Sequence, residues 1–207
     1  LLTLILFSPL FVAAVLVLLA AWGPEWWQSR SRALGTTPFS DAGQPQMAPA
    51  PRAKVTRWTA RAPLPEARSR LAVATVNGKL YALAGEGPSA GGSVAVSGDV
   101  SIYDPQSNGW LPGAHKPTAV ANVGAAVLAG RIYVPGGSLA TGRATNVLEV
   151  YDPATDGWAT RAHLPVPVAA YALATLGGRL YLFGGWDGAH YLSSTYIYDP
   201  STDRWSS

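Results

Sequence analysis

The chain has 207 residues, 48% hydrophobic and 13% charged, with a net charge of +3 and no cysteine. That length suits one ordinary domain with an appendage, and the lack of cysteine excludes disulfides, cysteine-ligated zinc and thiol catalysis in this sequence. From Trp58 onward 10 Lys/Arg stand against 10 Asp/Glu, so that part is neutral and carries no electrostatic footprint for nucleic acid.

The chain opens on an apolar run, Leu1 to Ala21, without a single charge; the first charged residue is Glu25. As a helix, this run would span about 31 Å, enough to cross a hydrocarbon core. Trp22, Trp26 and Trp27 follow at the level of an interfacial aromatic belt. The reading is one transmembrane helix over 1–22. A secretory signal competes with it, but the run is longer than a signal h-region, and "VLLAAWG" offers no small-x-small cleavage site. A core helix would show polar positions at helical spacing, whereas only Thr3 and Ser8 are polar here. The chain begins with Leu, so we expect its N-terminal end, and the charges that set orientation, to lie upstream.

Residues 23–57 read as a Pro/Ser/Ala-rich linker centred on "TTPFSDAGQPQMAPAPR". No hydrophobic period survives there, which predicts a flexible tether. The surplus positive charge lies here: Arg30, Arg32, Arg52, Lys54 and Arg57 outweigh Glu25 and Asp41. A basic juxtamembrane tether suits anionic lipid headgroups.

From residue 58 the texture is repetitive, with a period in the range of solenoids and propellers. "NGKLYALAG", "AGRIYVPGG" and "GGRLYLFGG" are one pattern three times, and "IYDPQSNGW", "VYDPATDGW" and "IYDPSTDRW" a second. Trp58, Trp110, Trp158 and Trp205 are spaced 52, 48 and 47 residues apart. The repeats run over about 58–110, 111–158 and 159–205.

Each repeat reads as four short strands. "LAVATV", "VGAAVL" and "YALATL" suit strands packed on both faces. Asn77-Gly78, Ala129-Gly130 and Gly177-Gly178 then supply two-residue hairpin turns, whose central positions favour positive φ. "KLYAL", "RIYVP" and "RLYLF" return, and a glycine doublet follows, with Ala84 in place of the first glycine in repeat one. A variable loop leads to "VSIYD", "LEVYD" or "TYIYD". An Asp-Pro turn then opens a short outer strand at Trp110, Trp158 or Trp205, proline suiting the first central turn position. "RWTARAPLP" looks like an outer strand without the rest of its unit.

The motifs "LYxxGG", "YDPxTxxW" and "LP" at Leu64-Pro65 and Leu164-Pro165 resemble kelch repeats, known from galactose oxidase and many binding proteins. The resemblance covers Trp58 to Trp205. It departs at Ala84-Gly85, at Pro135, and at Lys116-Pro117, where Leu-Pro is expected. It implies an all-β fold of kelch-type β-propeller blades, three four-stranded repeats forming a partial ring, preceded by the transmembrane helix. Because closed propellers use about 4 to 8 blades, we expect the chain to be a fragment of a longer ring.

Function on a rigid scaffold resides in loops, here Glu86 to Asp99, Ser138 to Asn146 and Trp186 to Thr195. The third offers the most ligand-like cluster: Trp186 as a stacking face, Asp187 as a carboxylate, His190 and Tyr191 as hydrogen-bonding rings. The competing reading is that Asp187 and Gly188 simply close a kelch turn. Tyr81, Tyr133, Tyr181, Trp110, Trp158 and Trp205 recur because each blade packs on its neighbour, and Asp104, Asp152 and Asp199 read as turn acceptors. His115 and His163 have no paired acid or nucleophile at diagnostic spacing, so no catalytic residue, metal or cofactor is expected.

The expected function is a single-pass membrane protein with an extracytoplasmic propeller that binds a protein or a glycan. The alternatives are a carbohydrate-active enzyme resembling sialic acid mutarotase, with Glu66, Arg68 and Arg70 as candidates, and the sensory domain of a transmembrane regulator. Fold alone does not decide among them.

Overall fold

Asn77-Gly78, Ala129-Gly130 and Gly177-Gly178 all take positive φ at both residues, 50° and 75°, 48° and 76°, and 57° and 77°. These are the paired left-handed conformations of a type I′ hairpin, whose twist matches that of its strands. Each turn opens one antiparallel sheet in a computed structural model that describes residues 58–89 and 92–207. The expected helix (1–22) and linker (23–57) lie outside the described residues. Among the described residues no helix is long and apolar enough to cross a membrane.

Blade one comprises β1 (Ala72–Val76), β2 (Lys79–Leu83), β5 (Val100–Asp104) and β6 (Gly109–Gly113), in that spatial order. Between β2 and β5 lies a separate hairpin of β3 (Glu86–Pro88) and β4 (Val94–Val96). The long first loop is therefore partly a two-stranded ribbon. Blade two is β7 (Ala126–Leu128), β8 (Arg131–Pro135), β9 (Leu148–Asp152) and β10 (Gly157–Arg161). Blade three is β11 (Ala172–Leu176), β12 (Arg179–Trp186), β13 (Tyr191–Asp199) and β14 (Arg204–Ser206). There β12 runs on through the glycine doublet, absorbed as a register shift between Phe183 and Gly185. Trp58 to Leu64 is not a strand, contrary to the sequence expectation, and Trp58 is 90% exposed. The segment is held to blade one instead through Ala62, which bonds Trp110 and Asn108.

The core lies between blades. Ala72, Ala74, Val76 and Leu83 of blade one pack with Ile132, Val134 and Tyr151 of blade two. Tyr133, Leu148 and Val150 of blade two join Leu180 and Tyr198 of blade three. The recurrent tyrosines meet across these joints, Tyr81 with Tyr151 at 5.8 Å and Tyr133 with Tyr198 at 6.0 Å between ring centroids, tilted as aromatic quadrupoles prefer. On blade three the positions matching the first of these faces, Ala172, Ala174 and Leu176, are exposed.

One polar clamp occurs three times. Trp110, Trp158 and Trp205 donate their indole N–H groups to the carbonyls of Ala62, Ala114 and Ala162, at 3.0, 2.8 and 2.9 Å. The N–H groups of the same three alanines donate to Asn108, Asp156 and Asp203. Those side chains also accept from Tyr103, Tyr151 and Tyr198. Asp104, Asp152 and Asp199 accept backbone N–H groups two residues on, as read from the sequence. The clamp pins each outer strand to the segment entering its own repeat.

Candidate functional site

The glycine doublets shape the site. Ala84, Gly136 and Gly184 sit near φ +60° (59°, 61° and 60°), a left-handed region that alanine tolerates at some strain. Gly85, Gly137 and Gly185 sit at 102°, 109° and 107°, beyond what a side chain accepts. A Cβ on Gly137 would lie 2.7 Å from Val120 Cβ. This explains why repeat one replaces its first glycine and keeps its second.

The turn carries the next residue back toward the start of its own repeat. Glu86, Ser138 and Trp186 form isolated antiparallel bridges with Ser69, Ala121 and Ala169. The residues after those partners, Arg70, Asn122 and Ala170, take φ of 54°, 51° and 54°. Left-handed backbone at non-glycine residues costs about 1–2 kcal/mol each, and here it recurs at one position of all three blades. Arg70, Asn122 and Ala170, with Glu86, Ser138 and Trp186, line a single cleft of about 520 Å³. Val94 and Val96 of β4 and Tyr191 line it too.

Of the four candidates read from the sequence, Trp186 and Tyr191 line this cleft. They are direct partners across the β12–β13 ladder. Asp187 and His190 belong to the turn joining those strands. Asp187 accepts the N–H groups of Ala189 and His190, both at 2.7 Å. Those bonds, that to His190 foremost, hold its carboxyl below the usual carboxylate range. His190 lies 3.7 Å from the same carboxylate on an exposed edge.

Sequence reasoning missed Asn122, Ser138 and Glu86 as neighbours of this aromatic pair. The signal was in the register: Arg70, Asn122 and Ala170 are spaced 52 and 48 apart, like the tryptophans. Arg70 pairs with Glu86 at 3.0 Å, and the Asn122 amide donates to Ser138 Oγ at 3.3 Å. Arg68 does not join them: its guanidinium donates to the carbonyls of Ala84 and Asp99 and to Ser101 Oγ. Glu66 lines a different pocket. Among the described residues no group of three or more His, Cys, Asp or Glu is placed to hold a metal ion.

Four-stranded antiparallel blades, each with a type I′ hairpin between its first two strands and a glycine doublet (Ala-Gly in blade one) before its third, define a kelch-type β-propeller module. The chain belongs to the KLHDC2/KLHL20/DRC7 Kelch-repeats domain family, whose model matches residues 51–207. Human Kelch-like protein 33 is 38% identical over 86 residues, covering 42% of this chain and 15% of that protein. N-acetylneuraminate epimerase 2 of Escherichia coli O6:H1 is 37% identical over 87 residues, covering 41% of this chain and 24% of the relative. The chain thus spans only a part of the curated relatives it matches. The solved structure of YjhT superposes with a TM-score of 0.68 at 23% identity, over 75% of this chain and 56% of that one. That likeness speaks to the fold. Kelch-repeat propellers are generally interaction modules.

Proposed function

We propose that this chain is a membrane-anchored kelch module, displayed outside the cytoplasm, that binds a protein or glycan partner without catalysing a reaction. One observation carries the binding reading: three equivalent backbone positions in strained left-handed conformations converge on one cleft, beside half-buried Trp186 and exposed Tyr191. Strain that recurs at a concave surface suits a site held ready for a ligand. The anchor reading is supported by the uncharged run Leu1 to Ala21 and the tryptophans after it. Photo-crosslinking tests the cleft. A photoreactive residue at position 191 is expected to capture a partner, whereas one at Leu111, which is exposed outside the cleft, is not. Equal capture at both positions overturns the reading. Protease digestion of intact cells tests the placement: full protection of residues 58–207 overturns the extracytoplasmic assignment.

The identity with an N-acetylneuraminate epimerase favours a second reading, a carbohydrate-active enzyme. Of its candidates Glu66, Arg68 and Arg70, only Arg70 reaches the cleft, and there it is paired with Glu86. Turnover of sialic acid anomers by the chain would establish that reading over the first.

A further inference from the structure

We infer that the ligand of this cleft is a neutral carbohydrate, its ring laid on the exposed face of Tyr191, on the side of the hairpin that also carries Trp186. The inference rests on the cleft reading above.

Trp186 and Tyr191 are directly opposed in the β12–β13 ladder, so their side chains leave the same face of the hairpin. Tyr191 is 91% exposed, and among the described residues its hydroxyl has no hydrogen-bond partner and its ring no aromatic neighbour. A large ring left in water and fastened at its base is a stacking surface awaiting an occupant. The fastening is specific: Asp187 takes two backbone N–H groups across the turn, and the Trp186 backbone bonds Ala169 in both directions. Little ordering remains for a ligand to impose.

The floor decides the class of occupant. Arg70 and Glu86 are the charged residues lining the cleft among those described, and they neutralise each other at 3.0 Å. An anionic sugar or an acidic peptide would have to share Arg70 with Glu86, with no second cation among the lining residues described to offset the two anions. A peptide held by an apolar anchor would require a deep apolar pocket. Here the large apolar side chains most open to solvent, Val94 and Tyr191, are 68% and 91% exposed, and the rest of the lining mixes small apolar residues with polar ones. The Asn122 amide, Ser138 hydroxyl, Arg70 guanidinium and Glu86 carboxylate offer donors and acceptors side by side with no net charge. Sugar hydroxyls, each able to donate and accept, match that arrangement.

The test uses the full chain against three immobilised probe sets: neutral cello-, malto-, manno- and galacto-oligosaccharides, sialylated and sulfated glycans, and acidic peptides. Binding is expected within the neutral set. Tyr191→Ala and Asn122→Ala are each expected to weaken it by about tenfold or more, the loss of one good contact, while Leu111→Ala leaves it unchanged. Because Tyr191 supports no packing, its variant keeps the parent melting temperature, which separates lost binding from lost fold. Binding confined to the anionic or peptide probes, and lost in Tyr191→Ala, overturns the neutral-carbohydrate inference and leaves the cleft reading standing. Neutral-glycan binding indifferent to both cleft variants overturns both. Binding to none of the probes overturns the inference, the cleft itself then resting on the crosslinking result.

Discussion

Tyr151 donates its hydroxyl proton to Asp156, five residues on, across the turn from β9 to β10. That hydrogen bond first, and the Ala114 N–H next, hold the Asp156 carboxyl below its ordinary value. Asp203 is held down in the same way by Tyr198 and Ala162. A carboxyl whose pKa is lower in the folded state stabilises the fold above its unfolded pKa, near 3.9, and loses that contribution as pH falls through the folded value. Asn108 fills the same place in blade one and accepts both bonds without a charge. Asp156→Asn with Asp203→Asn should therefore keep the fold at neutral pH and flatten the loss of stability between about pH 4 and pH 2. Urea midpoints across that range check it; an unchanged slope would refute the assignment.

The indole of Trp158 reaches the Ala114 carbonyl at 2.8 Å. Trp158→Phe keeps most of the ring and removes the donor, at an expected cost of about 1 kcal/mol. Trp158 also lies 5.8 Å from Lys116 Nζ, a cation–π contact that the other two clamp tryptophans lack among the described residues. Trp158→Phe should therefore cost more than Trp205→Phe, a ranking that chemical denaturation can read.

The second glycine of the blade-two doublet and the first of the blade-three doublet should differ sharply in tolerance. Gly137→Ala combines a φ of 109° with a Cβ clash against Val120, which predicts a loss of roughly 3 kcal/mol or more. Gly184→Ala meets only Leu192 O at 3.0 Å, at a φ of 60°. Its expected cost is about 1 kcal/mol, measurable as the difference in thermal midpoint between the two variants.

Blade two buries a charge where blade three buries oil. Lys116 and Glu149 are each 2% exposed and paired, with Thr118 bonding the same carboxylate. Burial pulls the Lys116 ammonium below its usual range, and Glu149 opposes the shift. Glu149→Gln leaves the ammonium without its counter-charge and should cost about 3–5 kcal/mol. The same positions in blade three are Leu164, Val166 and Tyr196, which pack together. Lys116→Leu, Thr118→Val and Glu149→Tyr made together should recover most of that loss in equilibrium unfolding.

Much of this architecture was legible because each blade repeats a short set of local constraints. Hairpin turns, glycine doublets and Tyr-Asp-Pro turns announce themselves within nine residues, and their threefold recurrence places the strands. Pairings over long separations were not legible. Lys116 looked like a weakened Leu-Pro because its partner lies 33 residues downstream. Asn108, Asp156 and Asp203 looked like variable turn positions, since their role depends on an alanine over 40 residues earlier. At the cleft, composition picked out Trp186 and Tyr191 and set Asp187 and His190 beside them. Adjacency in sequence could not separate the residues on the cleft wall from those in the turn, which the strand register does.

The joints between blades have a sense. Gly85 and Gly137, on the earlier blade, donate to the carbonyls of Val120 and Val168 on the later one, each at 2.8 Å. Such contacts are heterologous, head to tail. The exposed row Ala172, Ala174 and Leu176 on blade three therefore has no like-for-like complement: two copies pressed together by that face gain apolar contact but not the hydrogen bonds of a true joint. Vectorial stacking of this kind matches the apolar face of one blade to a different surface of the next, not to a copy of itself.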